Sequence, residues 1–416
     1  MKILFVLGME VNPKVGGVER VTHVLSNHFI NAGIKVGFLY FSFNELYFSD
    51  YNQQITTCFL PDITQVNTNE NTEYLKELVV GDKIDIVINQ GNIAADITML
   101  IANSVQGTSC KIISILHNTP LNFLQFYGQF KQTFSQYLSL QDKNVKNILK
   151  KKLLILMALN DYQKTYKKYL RLAVHSSERF VLLSKEYIPL LNRISKIKDS
   201  RKIISIANPL SYADNYPTAD IPFKKKQVIY VGRLEYNQKR LDRLLNIWKM
   251  VEEDFPDWKL IIVGGSLPNQ INDDNNYQNK ELQRLKLLSS QLKLNHVFFA
   301  GNQDPATYYK ESSLFCLTSS YEGFPMALVE ALQYGVVPVV FGSFEAIYDL
   351  IENDKNGSII TPFDLEEFSL KLKEQMLNTK RRVQMAIVGV ATSKAYSVDV
   401  IGEQWIQTFR NVIDGT

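Results

Sequence analysis

The stretch SSYEGFPMALVEALQYGVVPVVFGS, from Ser319 to Ser343, predicts a loop, a helix and a buried strand in that order. A Gly-Phe-Pro turn ends at Pro325, a helical pattern carrying Glu330 follows, and the apolar run Val336 to Phe341 completes the unit. Since the proline ring fixes φ near the helical value, Pro325 suits the first position of the helix. This order of elements is typical of an α/β protein.

The turn before this helix has features of a ligand site. With Pro325 at the first position, the backbone N–H groups of Met326 to Leu328 have no acceptor within the helix, and such groups bind anions. Glu322 lies in the turn, and Glu330 lies more than two helical turns further along. An anion site with two separated carboxylates suits a phosphate-bearing molecule that has hydroxyl groups at both ends.

Strand and helix patterns alternate along the whole chain, which predicts two parallel sheets with helices on both faces. In the first half, strand patterns begin at Lys2, Lys35, Asp85, Lys111, Arg179 and Lys202. In the second half, they begin at Gln227, Trp258, His296, Leu314, Val336 and Ser358. The segment Asn208 to Lys226 holds three prolines and no apolar periodicity, so it is predicted to be a linker. The predicted domains are residues 1–207 and 227–395.

Composition narrows the class of protein. The 416 residues suffice for two domains, and the net charge of +4 does not favour nucleic acid as a partner. Three cysteines in apolar runs, Cys58, Cys110 and Cys316, predict core residues in a reducing compartment. The start MKILFVLGMEV predicts a first strand rather than a secretory signal, and no apolar run approaches the ~20 residues of a membrane span. We therefore expect a cytoplasmic protein.

Several polar residues follow predicted strands, where doubly wound proteins bind ligands. His117 ends one strand; either it points into a ligand crevice or it lies in an ordinary polar loop. Arg233 and Lys239 follow another strand; they could neutralise a phosphate, or they could be exposed charges beside a turn. Gly16 and Gly17 precede a helix and allow close approach of a ligand, whereas Glu19 and Arg20 are expected only to begin that helix.

Three motifs are absent from the sequence, and one segment is strongly basic. The G-x-G-x-x-G motif of dinucleotide-binding dehydrogenases is absent, and we find neither Asp-x-Asp at a strand end nor a Cys/His cluster with zinc spacing. No metal or other cofactor is therefore expected. The segment Lys143 to Arg171 holds nine Lys or Arg residues and one acid, Asp161. It is either a helical pair with a basic exposed face or a contact with an anionic membrane.

The run EGFPMALVEA, followed by GVVPVV, resembles the Glu-x7-Glu signature of retaining glycosyltransferases of family 4, which have the GT-B fold and include bacterial surface-polysaccharide enzymes. GGVERV with AGIKV near the start, and GRL with QKRLD after the strand at Gln227, resemble further motifs of that family. The resemblance extends over nearly the whole chain. It implies an α/β protein with two Rossmann-like, doubly wound parallel-sheet domains facing a central cleft. It also implies that a C-terminal helix, residues 396–416, crosses back to the N-terminal domain.

The resemblance also implies roles for single residues. Arg233 and Lys239 would face the diphosphate of the donor, Glu322 the hydroxyl groups of its sugar, and Glu330 its ribose. The expected catalytic residues are His117, which would contact the donor sugar, together with Arg233, Lys239 and Glu322. The expected donor-binding residues are Gly16, Gly17, Gly232, Gly323, Phe324, Pro325 and Glu330.

The reaction implied is transfer of a hexosyl group from a nucleotide sugar, expected to be a UDP-sugar, to an acceptor hydroxyl with retention of configuration. The resemblance further implies that neither a metal nor a covalent enzyme intermediate takes part. The acceptor would be a glycan or a lipid-linked sugar in polysaccharide biosynthesis, such as that of capsule or O-antigen, and the enzyme could be peripheral on the inner face of the membrane. Two alternatives remain, a GT-B epimerase acting on a UDP-sugar and a non-catalytic subunit that binds nucleotide sugars.

Overall fold

A computed structural model of the chain describes residues 1–8, 17–41, 53–91, 93–121, 145–197, 200–212, 217–265 and 276–415; for residues 145–155 and 276–279 it describes the backbone only. Gly16 and Lys143 lie outside the described residues. The described residues divide into two compact units. The described residues of the first unit lie within Met1–Asn12, Thr22–Ala207 and Gly402–Thr416, and those of the second lie within Pro13–Val21 and Asn208–Ile401.

The described part of the first unit contains a parallel seven-stranded sheet. Its strands are β1 (Lys2–Leu7), β2 (Lys35–Tyr40), β3 (Thr56–Phe59), β4 (Ile86–Asn89), β5 (Lys111–Leu116), β6 (Arg179–Leu182) and β7 (Ile203–Ser205). Their order is β3-β2-β1-β4-β5-β6-β7. The six strands predicted here are confirmed, and β3 was missed. This edge strand has only four residues and none of them is fully buried, so it shows no apolar run.

The second unit contains a parallel six-stranded sheet among its described residues. Its strands are β8 (Lys225–Val231), β9 (Lys259–Val263), β10 (Val297–Gly301), β11 (Ser312–Leu317), β12 (Val337–Phe341) and β13 (Ser358–Ile360). Their order is β10-β9-β8-β11-β12-β13, and all six were predicted. β8 begins inside the segment expected to be a linker. A 3-10 helix, Thr218–Phe223, also lies in that segment and buries Ile221, so part of it is regular structure.

Helices connect the strands of both sheets. They are α1 (Gly17–Asn31), α2 (Asn69–Gly81), α3 (Ala95–Val105), α4 (Val145–His175), α5 (Tyr187–Ser195), α6 (Tyr236–Lys239), α7 (Leu241–Lys249), α8 (Asn276–Gln291), α9 (Pro305–Glu311), α10 (Met326–Gln333), α11 (Ile347–Leu350), α12 (Leu365–Leu377), α13 (Thr379–Ser393) and α14 (Val398–Asp414). From Gly402 onward α14 belongs to the first unit, where the Phe409 ring lies 5.2 Å from that of Phe29. No helix in the described ranges is both long and apolar enough to cross a membrane.

The strand order positions the ligand site in each unit. In the first sheet, β1 lies between β2 and β4; in the second, β8 lies between β9 and β11. At these two places the order reverses, and neighbouring loops leave the sheet in opposite directions. Ligands of doubly wound proteins bind outside the carboxyl ends of the strands at such a reversal. The loops after β8 and β11 are therefore the candidate site of the second unit, and the loops after β1 and β4 that of the first.

Candidate active site

The carboxyl ends of β8 and β11 bring together two residues that are 83 positions apart in sequence. Lys239 ends the short helix α6 after β8, and Glu322 lies in the loop between β11 and α10. The Lys239 Nζ lies 2.6 Å from Glu322 Oε1, and these side chains are only 15% and 6% exposed. Dissolved salt weakens the attraction in a buried pair much less than in an exposed one. It is therefore a defined feature of the site rather than a passing surface contact.

Glu322 accepts hydrogen bonds on both of its carboxylate oxygens. Ser319 Oγ donates to Oε1 over 2.7 Å, in addition to Lys239. Gln238 Nε2 donates to Oε2 over 3.1 Å. These donors fix the rotamer of Glu322 and satisfy the buried carboxylate. The sequence prediction gave no role to Ser319 or Gln238, although Ser319 begins the segment SSYEGFPMALVEA and Gln238 begins QKRLD.

Arg233 is the more exposed of the two predicted cations. Its side chain is 47% exposed, and its Nη2 donates to Gln238 Oε1 over 3.1 Å and lies 3.6 Å from Glu235 Oε2. The guanidinium is thus held by polar contacts while it still faces solvent. In this position it can meet an incoming anion without first leaving a buried ion pair.

Two glycines allow the backbone to pass very closely at this end of the sheet. Gly232 follows β8 with φ of +151°, and Gly264 follows β9 with φ of +145°. A Cβ atom added to Gly264 would lie 1.9 Å from the carbonyl oxygen of Gly232. Only glycine fits there. Gly232 was a predicted site residue; Gly264 was not, although a glycine pair directly after an apolar strand signals such a close approach.

The turn before α10 differs from its prediction. Pro325 precedes the helix as its N-cap with ψ of 81°, so it is not the first helical residue. Two of the N–H groups expected to be available have acceptors: Met326 N donates to Phe324 O over 3.0 Å, and Leu328 N donates to Pro325 O over 2.9 Å. That expectation is therefore wrong for these two, because the turn closes on itself.

Phe324 anchors this turn. It is 8% exposed, and its ring centroid lies 5.8 Å from that of Tyr396. The side chain therefore packs into the second unit, which leaves only the backbone of the turn from Gly323 to Pro325 to face a ligand.

Glu330 is buried on α10, where it is 2% exposed. Tyr309 OH lies 3.2 Å from Glu330 Oε2, and Arg20 Nη1 donates to Oε1 over 3.3 Å. Burial raises the pKa of Glu330, while Arg20, Ser211 and Tyr309 oppose that rise. The expectation that Arg20 only begins a helix is wrong. Its contact with Glu330 spans 310 positions, and no pattern in the sequence signals it.

In the first unit, His117 follows β5 and is buried with an exposure of 8%. Its Nε2 donates a hydrogen bond to Gln90 Oε1, and Gln90 Nε2 donates to Thr22 Oγ1 over 3.2 Å. Burial lowers the pKa of His117 to about 4, so its ring is neutral at neutral pH. Gln90, which directly follows β4, was missed by the prediction even though it ends a buried strand at the reversal point.

Gly17 is the first residue of α1 and is exposed. No atom lies within 4 Å of the position that a Cβ would take, so the described structure does not itself require a glycine there. The role expected of Gly17 remains a prediction, as does that of Gly16.

Comparison with known proteins bears directly on this site. Residues 216–389 match the family model described as glycosyl transferases group 1, a range that includes Gly232, Arg233, Lys239, Glu322 and Glu330. The chain is 29% identical over 270 residues to an uncharacterized glycosyltransferase of Haemophilus influenzae, an alignment covering 64% of this chain and 70% of that protein. It is 28% identical over 205 residues to the amylovoran biosynthesis glycosyltransferase AmsD of Erwinia amylovora, covering 49% of this chain and about half, 54%, of the relative.

Solved structures agree in fold. Anabaena HepE in complex with UDP-glucose superposes with a TM-score of 0.71 over 99% of this chain and 100% of that one, at 16% identity. The two parallel sheets with their reversal points are the architecture of GT-B glycosyltransferases. The chain therefore has the GT-B fold, and its residues 216–389 are similar to the glycosyl transferases group 1 family.

Proposed function

We propose that the chain is a retaining glycosyltransferase that moves a hexosyl group from a nucleotide sugar to a hydroxyl of a glycan or lipid-linked acceptor in bacterial polysaccharide biosynthesis. A UDP-sugar is the proposed donor. Three lines of support are the family match, the similarity to a glycosyltransferase of amylovoran biosynthesis and the fold shared with a protein solved with UDP-glucose. Among these relatives, the protein of Haemophilus influenzae is itself named only as a glycosyltransferase.

The observation that carries the proposal is the buried pair of Lys239 and Glu322 at the reversal point between β8 and β11. A departing nucleoside diphosphate gains negative charge as the glycosidic bond breaks. Cations fixed near that phosphate lower the barrier, because they need no reorganisation at the moment of reaction. Lys239 and the exposed Arg233 supply two such charges, and the ammonium group of Lys239 has further N–H donors beyond the one directed at Glu322.

The remaining roles follow from hydrogen-bonding capacity. Glu322 accepts hydrogen bonds and would bind hydroxyl groups of the donor sugar, and Glu330 would bind the ribose in the same way. A neutral His117 could hydrogen-bond a sugar hydroxyl without adding charge. The backbone from Gly323 to Pro325 and the glycines Gly16 and Gly17 would approach the diphosphate.

Retention and independence from metal are part of the proposal. We infer that the departing phosphate accepts the proton of the acceptor hydroxyl on the same face of the sugar, so that no group of the chain needs to form a covalent intermediate. The charges of Arg233 and Lys239 would serve where other transferases use a divalent cation.

The donor class can be tested with a thermal-shift panel of UDP, GDP, ADP and their sugar conjugates, each with Mg²⁺ and with EDTA. A ligand that binds only the native state raises the melting temperature. We expect one nucleotide and its sugar conjugate to raise it equally under both conditions. If the shift requires Mg²⁺, the proposal of metal independence is wrong. If no nucleotide changes the melting temperature, the proposed donor site is wrong.

The reaction class needs a second experiment, in which the selected nucleotide sugar is incubated with and without acceptor glycans and the products are followed by NMR. We expect a new glycoside with the anomeric configuration of the donor. Conversion of the donor into another nucleotide sugar without acceptor would favour the epimerase. Binding without any conversion, across a panel of lipid-linked and free glycan acceptors, would favour the non-catalytic subunit.

We also propose that α4 contacts an anionic membrane, which would bring the enzyme to a lipid-linked acceptor. The support is charge complementarity together with two exposed apolar side chains, Leu156 at 59% and Met157 at 56%. Lys143 and the side chains of Lys150 to Lys152 lie outside the described parts. Substitution of Lys150 to Lys152 by Glu should abolish binding to phosphatidylglycerol liposomes, and unchanged binding would remove this proposal.

A further inference from the structure

We propose that Gln238 is a positioning residue that holds Arg233 and Glu322 in their working geometry and keeps them apart. The inference rests on the proposed function, since it concerns residues proposed to bind the donor. Gln238 lies in α6 directly before Lys239, and nothing in the sequence motifs assigns it a role.

Every polar atom of the Gln238 side chain is used. Its Oε1 accepts from Arg233 Nη2 over 3.1 Å. Its Nε2 donates to Glu322 Oε2 over 3.1 Å and to the carbonyl oxygen of Tyr321 over 3.2 Å. An amide has two donor hydrogens and one acceptor oxygen, so this arrangement also fixes which way the amide points. One side chain thus joins the loop after β8 to the loop after β11.

Because the Gln238 side chain is uncharged, it can bind both a cation and a carboxylate. Its two charged partners have opposite signs: Arg233, which also lies 3.6 Å from Glu235, and Glu322, which is paired with Lys239. A cation in its place would compete with Arg233 for Glu322, and a carboxylate would bind Arg233 while repelling Glu322. The amide satisfies both sides at once. Arg233 therefore keeps its exposed position, and Glu322 keeps a donor on Oε2.

The loops stay connected when this side chain is changed, because other bonds also hold them. Ser320 N donates to the backbone carbonyl of Gln238 over 2.7 Å. Thr318 Oγ1 lies 3.2 Å from the carbonyl oxygen of Lys239. These contacts do not involve the Gln238 side chain. We therefore expect variants at this position to fold, which makes a functional test possible.

The first experiment compares Gln238→Met with wild type in a sugar-transfer assay that measures kcat and the KM for the donor. Methionine has nearly the length of glutamine but neither donates nor accepts as an amide does. We expect kcat to fall by about tenfold or more, because hydrogen bonds to charged groups are stronger than neutral ones. We expect the KM for the donor to change by less than about threefold, because Arg233 and Lys239 remain.

Asn237→Leu is the matched control. Asn237 lies one residue earlier in the same short helix, and its side chain makes no hydrogen bond within the described part of the chain. The substitution likewise replaces an amide by an apolar group of similar size. We expect kcat and KM to stay within about twofold of wild type, because this substitution removes no hydrogen bond of the site.

A second variant, Gln238→Glu, is tested by the pH dependence of its kcat. A purely structural role of Gln238 would not change that dependence. Its carboxylate can still accept from Arg233 but faces Glu322 with a like charge. Arg233 and Lys239 favour its ionised form, whereas Glu322 and Glu235 favour its protonated form. When protonated, it is neutral and can donate to Glu322 as the amide does. The ratio of its kcat to that of wild type should therefore rise as pH is lowered from about 8 to about 5. We also expect a raised KM, because the added charge repels the diphosphate.

The outcomes separate this inference from the proposed function. If wild type transfers sugar and Gln238→Met retains its kcat, Gln238 does not position the site. A Gln238→Glu ratio that does not change with pH would mean that donation to Glu322 is unimportant, and would also overturn the inference. If wild type transfers no sugar from any nucleotide, the proposed function itself is wrong, and the role of Gln238 falls with it.

Discussion

Lys239 Nζ lies 2.6 Å from Glu322 Oε1, so two residues expected to contact different parts of the donor are bound to each other. The two opposite charges compensate each other. Either charge buried without its partner would be strongly unfavourable. Oε1 of Glu322 accepts from Lys239 and Ser319, and its Oε2 accepts from Gln238. A phosphate would reach Lys239 through the N–H donors of its ammonium group that are not directed at Glu322.

The first prediction is that Lys239 and Glu322 act as a unit. We expect Lys239→Met and Glu322→Gln each to lower kcat/KM by roughly 100-fold or more, the loss typical of removing one group that stabilises the transition state. The double variant should lose much less than the product of the two single losses, because each single variant leaves the other residue without its partner. Steady-state kinetics of all four proteins complete the cycle.

A surface pair gives the matched control for this cycle. Lys226 and Asp257 also form an ion pair in the second unit, but their side chains are 60% and 57% exposed. Lys226→Met, Asp257→Asn and their combination should leave kcat/KM within about twofold of wild type. Strictly multiplicative losses at Lys239 and Glu322 would contradict the coupling, and normal turnover of a folded Glu322→Gln protein would show that the site is wrongly assigned.

The second prediction concerns the pH dependence of stability at Glu330. Burial raises its pKa above the ordinary value of 4.5. A carboxyl group whose pKa is raised by folding stabilises the native state at low pH, and this contribution is lost as pH rises through the folded-state pKa. Glu330→Gln stays neutral at every pH. The melting temperature of wild type relative to Glu330→Gln should therefore fall as pH is raised from just above 4.5.

Melting curves of both proteins, measured in the same series of buffers, test this prediction. Glu311→Gln is a suitable control, because Glu311 is a carboxylate at the end of α9 with a side chain that is 40% exposed and paired with Lys225. Its difference from wild type should change little over the same range. A wild type that gains stability relative to Glu330→Gln with rising pH would mean that the contact with Arg20 outweighs burial.

The sequence predicted the elements of the fold better than the contacts of the site. Strands such as β5 and β12 are buried on both faces, so each forms a continuous apolar run that can be recognised without a structure. β3 lies at an edge of its sheet and is only partly buried, so it has no such run. An apolar run, rather than strand formation itself, is what allows a strand to be predicted: β10 is also a partly buried edge strand, but its run Val297 to Phe299 was recognised.

Residues of the candidate site were predicted where they stand in motifs and missed where they act through space. Arg233, Lys239 and Glu322 were predicted from short sequence motifs. Gln238 was not, because its importance depends on contacts with residues that follow a different strand, 84 positions away in the case of Glu322. The turn at Pro325 was mispredicted for another reason. Proline fixes φ but leaves ψ free, and ψ of 81° places this residue before the helix.

The third prediction is that Gly264 tolerates no side chain. In Gly264→Ala, the new Cβ would overlap the carbonyl oxygen of Gly232, and the residue would have to adopt φ of +145°. We expect a loss of more than about 1 kcal/mol in unfolding free energy, together with weaker donor binding, because the backbone after β8 would be displaced. Gly81→Ala is the control, since nothing lies within 4 Å of its Cβ position at the end of α2. Wild-type stability of Gly264→Ala, measured by denaturant unfolding, would show that the two loops can separate freely.

The last prediction is that His117 stays neutral through the range in which an ordinary histidine titrates. Burial lowers its pKa from 6.5 to about 4, so its neutral form stabilises the folded chain above pH 6.5, and that contribution is lost as pH falls toward 4. In ¹⁵N-histidine NMR spectra, the His117 resonance, assigned by its absence in His117→Gln, should be unchanged between about pH 5.5 and 8. Gln90→Met, which removes the acceptor of the Nε2 proton, should shift that resonance and lower kcat. Titration of His117 near its ordinary pKa would mean that water reaches the ring, and that the ring could then bring a positive charge to the donor.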